Sequence, residues 1–218
     1  FVTWDLPLVV LDNSGIENYE DLAGKRVGLS PVGSSTAEVL MLVLEAYDLT
    51  DSVTIENFTW NEGYTALKDG RIDAMVGSWA NGDPISGLIE LKATKDIRIL
   101  NMSEEAAQAV AQANAGVSSG VLTSENDDSI APGEEVIAPT NSGVIIADAS
   151  VDEESIYQYT KAVLENLEEL KGISNYFDAF EDVCMSVCVE GVPFHPGAAK
   201  ALKEAGLWED RFTVYDGV

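Results

Sequence analysis

The residues with the clearest chemical potential form a short turn rich in glycine and hydroxyl groups. Gly33, Ser34, Ser35 and Thr36 follow an apolar segment that ends at Ser30, and they precede a stretch with helical periodicity. Where a strand turns directly into a helix, the first backbone N–H groups and the positive end of the helix dipole point at whatever lies in front. The turn therefore predicts a site for a carboxylate or phosphate, although the same residues also cap ordinary helices.

A second polar segment follows another predicted buried strand. Ser78, Trp79 and Asn81 come directly after residues 72–77. The carboxyl ends of strands in an open α/β sheet face the ligand crevice. Trp79 would supply an apolar wall, and Ser78 or Asn81 a hydrogen bond. The alternative interpretation is a surface turn.

The sequence offers little for catalysis. His195 is the only histidine, so a Ser-His-Asp or Cys-His arrangement has to use it. Neither Ser118 nor Ser119 lies in a nucleophile-elbow pattern. His195 stands before a helix that Pro196 can begin, so we expect a structural role for it and no enzymatic activity.

The two cysteines do not predict a metal site. Cys184 and Cys188 are spaced C-x3-C, and His195 is the only further soft or imidazole ligand nearby. We interpret them as two buried thiols, with a local disulfide as the alternative. No metal and no cofactor are predicted.

The charge of the chain restricts its partners. The sequence holds 12 basic and 38 acidic residues, a net charge of −26, with 46% hydrophobic residues. Such an excess repels nucleic acid and anionic lipid, and the apolar content is enough for a core. We interpret the charge as a solvated surface suited to very salty surroundings rather than an acidic functional patch. The longest strongly apolar run, residues 39–44, is too short to enter a membrane as a span.

Hydrophobic periodicity predicts alternating strands and helices, which is typical of a parallel α/β sheet. Residues 35–38 fit a capping box at the start of the first long helix. Residues 116–139 are rich in Ser, Gly, Asp and Pro and are predicted to be a long connection. The predicted strands are 6–11, 25–30, 53–58, 72–77, 97–100 and 144–147, and the predicted helices are 35–46, 62–68, 84–91, 104–114, 152–167, 173–180 and 196–205.

Four segments together resemble the TAXI family of TRAP-transporter solute-binding proteins. They read DLAGKRV at 21–27, ALKDGRIDA at 66–74, YTKAVLENL at 159–167 and PFHPGAA at 193–199, with the Gly/Ser turn between the first two. The resemblance covers nearly the whole chain. The KDGRIDA segment is shared more widely among type II periplasmic-binding-protein folds.

The resemblance implies an extracytoplasmic receptor, periplasmic or anchored at the cell surface, with two α/β lobes that close over a small organic anion such as an amino acid or carboxylate. The receptor would deliver this ligand to TRAP membrane subunits. Gly33, Ser34, Ser35 and Thr36 would line one wall of the cleft, together with Ser78 and Trp79. Ser35 stands where the family usually has glycine, so the closest backbone approach would differ.

The resemblance also implies a division of the chain. Residues 1–11 would hold a crossover strand and part of lobe 1, residues 12–138 would form lobe 2, and residues 139–218 would return to lobe 1. Family members carry a further N-terminal stretch, and this chain begins at Phe1 rather than Met. We therefore expect one complete lobe plus the C-terminal part of a second, in an N-terminally truncated or processed product.

These observations predict a solute-binding subunit without catalytic activity. The rival from another class is a ligand-sensing input domain of the same fold in a signalling protein. A fused signalling segment would favour the rival, and neighbouring transporter genes would favour the transport role. Turnover that is lost in His195→Ala would instead indicate an enzyme.

Overall fold

Two five-stranded sheets organise the chain in the computed structural model, which describes residues 2–177, 180 and 191–217. The chain divides into a larger unit, Thr3–Ser142, and a smaller unit made of Gly143–Val218 and the first two residues. Both sheets belong essentially to the larger unit. The predicted lobe boundaries at residues 11 and 138 stay a prediction.

The first sheet is the framework of the larger unit. Its order is β4-β3-β5-β2-β8. Strand β3 runs parallel to β4 and β5, whereas β2 runs antiparallel to β5 and β8. The predicted α/β fold class is confirmed, but the sheet is mixed rather than wholly parallel. The reversed strand arises because two 3-10 turns, and no crossover helix, join β2 to β3. The strands are β2 Leu8–Leu11, β3 Arg26–Leu29, β4 Thr54–Asn57, β5 Ala74–Val76 and β8 Ile97–Ile99.

The second sheet has the order β7-β6-β1-β10-β9. The predicted long connection over residues 116–139 is wrong in part, because β9 pairs antiparallel with β10 from Val136↔Leu122 to Thr140↔Ser118. The glycine and serine residues of this segment are typical of a loop, yet Val136 and residues 138–140 of β10 are buried. The strands are β1 Val2–Asp5, β6 Trp79–Ala80, β7 Asp83–Pro84, β9 Ser118–Leu122 and β10 Val136–Gly143.

Four helices cover the larger unit. Three of them begin at a polar cap, whereas α3 begins after Ile85, which has no capping side chain. Ser34 caps α1, since its Oγ accepts a hydrogen bond from the Ala37 N–H at 3.2 Å. The predicted capping box at residues 35–38 is therefore wrong: the cap is Ser34, and the residue three positions on is Ala37, whose side chain cannot complete a capping box. Thr59 and Glu62 form the capping box of α2. The helices are α1 Ser35–Ala46, α2 Trp60–Lys68, α3 Ser86–Lys92 and α4 Glu104–Ala113.

The smaller unit is helical in its described part. It contains α5 Glu153–Glu165, α6 Leu167–Ile173 and α7 Pro196–Glu204. Gly197 lets α7 approach α5 closely, since a Cβ at this position would overlap the Glu153 carbonyl oxygen. The predicted strand at 144–147 is wrong, because these residues are irregular and exposed. The predicted helix at 173–180 lies partly outside the described residues, and Cys184 and Cys188 lie wholly outside them.

Candidate functional site

The turn at the start of α1 is held by hydroxyl groups. Ser30 Oγ and Ser34 Oγ lie 2.7 Å apart, and Gly33 has a φ of +81°, which favours glycine. Because Ser34 caps the helix, its hydroxyl oxygen is already hydrogen-bonded within the protein. The N–H groups of Ser35 and Thr36 belong to the first helical turn, where no intrahelical acceptor exists, so they are the donors available to an anion.

Two asparagines that the sequence analysis missed lie around this turn. Asn57, at the end of β4, donates from Nδ2 to the Ser30 carbonyl oxygen at 2.7 Å. Asn141 donates from Nδ2 to Ser35 Oγ at 3.3 Å. Asn57 lies inside the predicted strand at 53–58, so the rule that selected Ser78, which follows its strand, did not select it. Asn141 lies 106 residues from its partner, so no local pattern indicates it.

A groove of about 630 Å³ opens beside the same turn. Its walls are mainly apolar, and Val32 at its mouth is 84% exposed. Glu38 is the only charged residue in its lining. The groove is lined by Leu29, Val32, Gly33, Ala37, Glu38, Met41, Leu42, Ile55, Asn57, Ala113 and Asn114.

The sheet register brings the two predicted polar segments to the same edge. Strands β3 and β5 are parallel neighbours, with Val27 opposite Ala74 and Gly28 opposite Met75. The residues that follow them, Ser30 and Ser78, are both buried. The Ser78 carbonyl oxygen accepts a hydrogen bond from the Ile85 N–H at 3.1 Å. The two segments therefore share an edge of the sheet, as the strand rule predicts.

Trp79 belongs to the core rather than to an open wall. Its side chain is 0% exposed and packs over Gly77, where a Cβ would overlap the indole ring. The indole Nε1 donates to Asp127 Oδ2 at 3.1 Å, and Asp127 Oδ1 accepts from Lys92 Nζ at 2.5 Å. The sequence predicted that Trp79 forms an apolar wall of a ligand crevice, whereas its side chain is packed inside the core.

Asn81 serves the hairpin between β6 and β7. It has a positive φ of +50°, which asparagine tolerates better than most residues. Its Oδ1 accepts from the Thr3 N–H at 2.9 Å, and its own N–H donates to the Thr3 carbonyl oxygen at 2.9 Å. These contacts position the turn, and a ligand contact from Asn81 stays a prediction.

The positive potential at the turn comes from backbone dipoles. Arg26 begins β3, at the opposite end of the strand from Gly33, and pairs with Asp73 at 2.8 Å. This pair lowers the pKa of the Asp73 carboxyl, chiefly through the Arg26 hydrogen bond. With no cation in the groove lining, an anion at the turn relies on N–H groups and the dipole of α1.

The environment of His195 is that of a helix cap. Its Nδ1 accepts from the Gly197 N–H at 3.2 Å, so Nε2 carries the proton and donates to the Val151 carbonyl oxygen at 2.9 Å. Both ring nitrogens are thereby engaged with backbone groups. Across the described residues, no group of three or more His, Cys, Asp or Glu is placed to hold a metal ion.

None of the helices in the described part of the chain is long and apolar enough to cross a bilayer.

Three solved structures are similar to this chain over only part of their own length. A structure of Tv2483 bound to L-arginine is 18% identical, the match covers 88% of this chain and 60% of that one, and the TM-score is 0.44. The periplasmic aliphatic sulphonate binding protein SsuA from Escherichia coli is 14% identical; the match covers 94% of this chain and 51% of that one, with a TM-score of 0.43. The substrate binding protein of an amino acid ABC transporter is 19% identical; the match covers 83% of this chain and 59% of that one, with a TM-score of 0.41. The chain spans 51–60% of the length of these proteins.

A protein-family model also matches this chain. The model of the NMT1-like family matches residues 3–206, which is nearly the entire sequence. The chain therefore belongs to the NMT1-like family.

Proposed function

We propose that the chain is part of an extracytoplasmic solute-binding subunit of a TAXI-type TRAP transporter, and that it captures a small organic anion such as an amino acid or carboxylate. The observation that carries the proposal is the capped turn at Gly33–Thr36, which offers two helix N–H donors beside a mainly apolar groove. Membership of the NMT1-like family and the sequence resemblance to TAXI proteins support it.

The ligand would be held by backbone dipoles. The carboxylate accepts hydrogen bonds from the N–H groups of Ser35 and Thr36, and the dipole of α1 offsets part of the repulsion from a chain of net charge −26. The organic part of the ligand lies along the groove beside Val32 and Met41. No step of this scheme requires a nucleophile, a metal or a cofactor.

The smaller unit belongs, in this proposal, to a second lobe. Its described part leaves Val144, Ile145 and Ile146 exposed by 52%, 58% and 85%, and Ile173 by 75%. An exposed apolar run of this kind is typical of a surface that another element covers. The partial coverage of the solved structures, 51–60% of their length, agrees with one complete lobe plus part of another.

The transport role adds a partner and a compartment. TRAP membrane subunits would receive the ligand, outside the cytoplasm, and the excess of acidic residues suits a salt-adapted organism. The chain would contact neither nucleic acid nor the bilayer interior.

The experiment that tests the proposal places a negative charge at the turn. Ser35→Asp in the full gene product adds a carboxylate at the first position of α1. There the negative charge interacts favourably with the helix dipole, but it repels a bound anion. We expect unchanged or slightly higher stability together with at least tenfold weaker binding of any amino acid or carboxylate that raises the melting temperature of the unsubstituted protein.

The matched control is Gln108→Glu, which adds the same charge at an exposed position of α4. We expect it to leave the affinity within about twofold. Equal affinity in Ser35→Asp and Gln108→Glu would remove the turn from the proposed site. If none of the amino acids and carboxylates tested binds to the unsubstituted protein, the solute-binding role itself is contradicted.

A further inference from the structure

A buried carboxylate joins two strands of the second sheet. Asp5, on β1, is 8% exposed, and its Oδ1 accepts a hydrogen bond from Thr140 Oγ1 on β10 at 2.5 Å. Gly120 on β9 makes room for the pair, because a Cβ there would overlap both Asp5 Oδ1 and Thr140 Oγ1. Three strands therefore contribute to the enclosure of one acidic group.

No positive charge compensates this carboxylate among the described residues. Within the described part of the chain, the Thr140 hydroxyl is the one side-chain group that favours the ionised form. Strands β1, β6, β9 and β10 contain no other titratable side chain, and Asp83 on the adjoining β7 is exposed. Burial raises the pKa of the Asp5 carboxyl, and the Thr140 hydrogen bond only partly opposes it. An uncompensated buried charge is expensive, so a strand that retains one calls for an explanation.

The position of the pair supplies that explanation. The chain passes between the two units at residues 2–3 and 142–143, which lie in β1 and β10. Asp5 and Thr140 each lie two residues inside the larger unit from these points. Just beyond Asp5, the Leu6 N–H donates to the Pro139 carbonyl oxygen at 2.8 Å. The carboxylate thus acts on the two segments that connect the units.

We propose that Asp5 is a proton-operated latch between β1 and β10, firm when its carboxyl is protonated and looser when it is ionised. In the protonated state, the Asp5 O–H donates to Thr140 Oγ1, and the Thr140 hydroxyl donates to the Ala138 carbonyl oxygen, which lies 3.3 Å away. On ionisation the proton leaves to solvent, and the Thr140 hydroxyl turns to donate to Asp5 Oδ1. The buried negative charge is then relieved when the strands separate and water reaches it.

The sign of the pH dependence follows from the raised pKa. An opened strand exposes Asp5 and returns its pKa to about 3.9. Between that value and the higher native pKa, the closed state binds a proton that the open state has lost. Protection of the two strands therefore falls as the pH rises through this window and stays low above it. Each unit by which the native pKa is raised corresponds to about tenfold more opening.

Hydrogen exchange of the full gene product at high salt measures this opening. Peptides that cover residues 2–6 and 136–142 are followed between about pH 4 and pH 8, with correction for the intrinsic exchange rate. We expect faster opening at the upper end in the unsubstituted protein and no such change in Asp5→Asn, which is similar in shape and uncharged. Asp83→Asn, on the same sheet, is the matched control and should behave like the unsubstituted protein. Thr140→Val should move the midpoint to higher pH, because the hydrogen bond lost by the ionised form is stronger than the one lost by the protonated form.

A direct titration keeps the test decisive if Asp5→Asn fails to fold. Carbon-13 detection of the Asp5 carboxyl in the unsubstituted protein should give a pKa above the ordinary value of about 3.9. A lower pKa, opening that does not depend on pH, or the same pH dependence in Asp5→Asn would each overturn the latch. The latch does not require a ligand, so these results are independent of whether the protein binds a solute.

Discussion

The two polar segments predicted from the sequence differ in whether their polar groups are available to a ligand. The turn at Gly33–Thr36 is anchored through the side chains of Ser34 and Ser35, and it leaves helix N–H groups available. The segment at Ser78–Asn81 is tied down by Asp127, Thr3 and the backbone of Ile85. Polar residues after a strand therefore indicate the edge of a sheet, but the partners provided by distant segments decide which of them can meet a ligand.

This comparison predicts that the second segment matters most for stability. Trp79→Ala should destabilise the larger unit by about 3–5 kcal/mol, because it removes a fully buried indole and leaves a cavity. Denaturant unfolding of the purified protein gives the free energy of unfolding. Tyr159→Ala, at a half-exposed aromatic residue of α5, is the control and should cost about 1 kcal/mol or less. Similar losses for the two variants would contradict the assignment of Trp79 to the core.

Asp127 provides the next largest effect. Asp127→Ala leaves the Trp79 indole N–H without its acceptor, while Lys92 retains Asp128 at 2.6 Å. Because Lys92 keeps this exposed partner, we expect a loss of about 2 kcal/mol rather than the full cost of breaking a buried pair. Asp128→Ala, which removes only the exposed partner, should change the free energy of unfolding by about 0.5 kcal/mol. A larger loss for Asp128→Ala than for Asp127→Ala would reverse the roles given to them.

The cap of α1 has a smaller expected effect on stability. Ser34→Ala removes the acceptor for the Ala37 N–H and the contact with Ser30, which should cost about 1 kcal/mol. Ser34→Asp restores a capping acceptor and should recover most of the loss in thermal unfolding. If Ser34→Asp is as unstable as Ser34→Ala, the hydrogen bond to Ala37 is not the source of the effect.

Thr36 should affect folding least. Its side chain is half-buried, and Thr36→Val keeps the shape while it removes the hydroxyl. We expect a change below about 0.5 kcal/mol in the free energy of unfolding. We also expect a weaker affinity for the ligand, because in our proposal the Thr36 hydroxyl is a further donor to the anion beside the two N–H groups. A large loss of stability would show that the hydroxyl has a structural role, as the hydroxyl of Ser34 does.

Local patterns were sufficient where a residue and its partners are close in sequence. The turn before α1, the strand before it and the helix that starts at Pro196 all follow from periodicity and cap chemistry. The pairing of Trp79 with Asp127 spans 48 residues, and that of Asp5 with Thr140 spans 135, so neither leaves a local signal. The strand predicted at residues 144–147 was wrong for a different reason. Their apolar run is typical of a buried strand, yet no described strand pairs with it.

Binding of a compound from the amino acid and carboxylate panel to Ser35→Asp, measured by titration calorimetry beside Gln108→Glu, tests the central claim most directly. The account predicts at least tenfold weaker binding in Ser35→Asp, with its thermal stability retained, and an affinity close to that of the unsubstituted protein in Gln108→Glu. Equal affinities in all three proteins would show that the anion is not held at the first turn of α1.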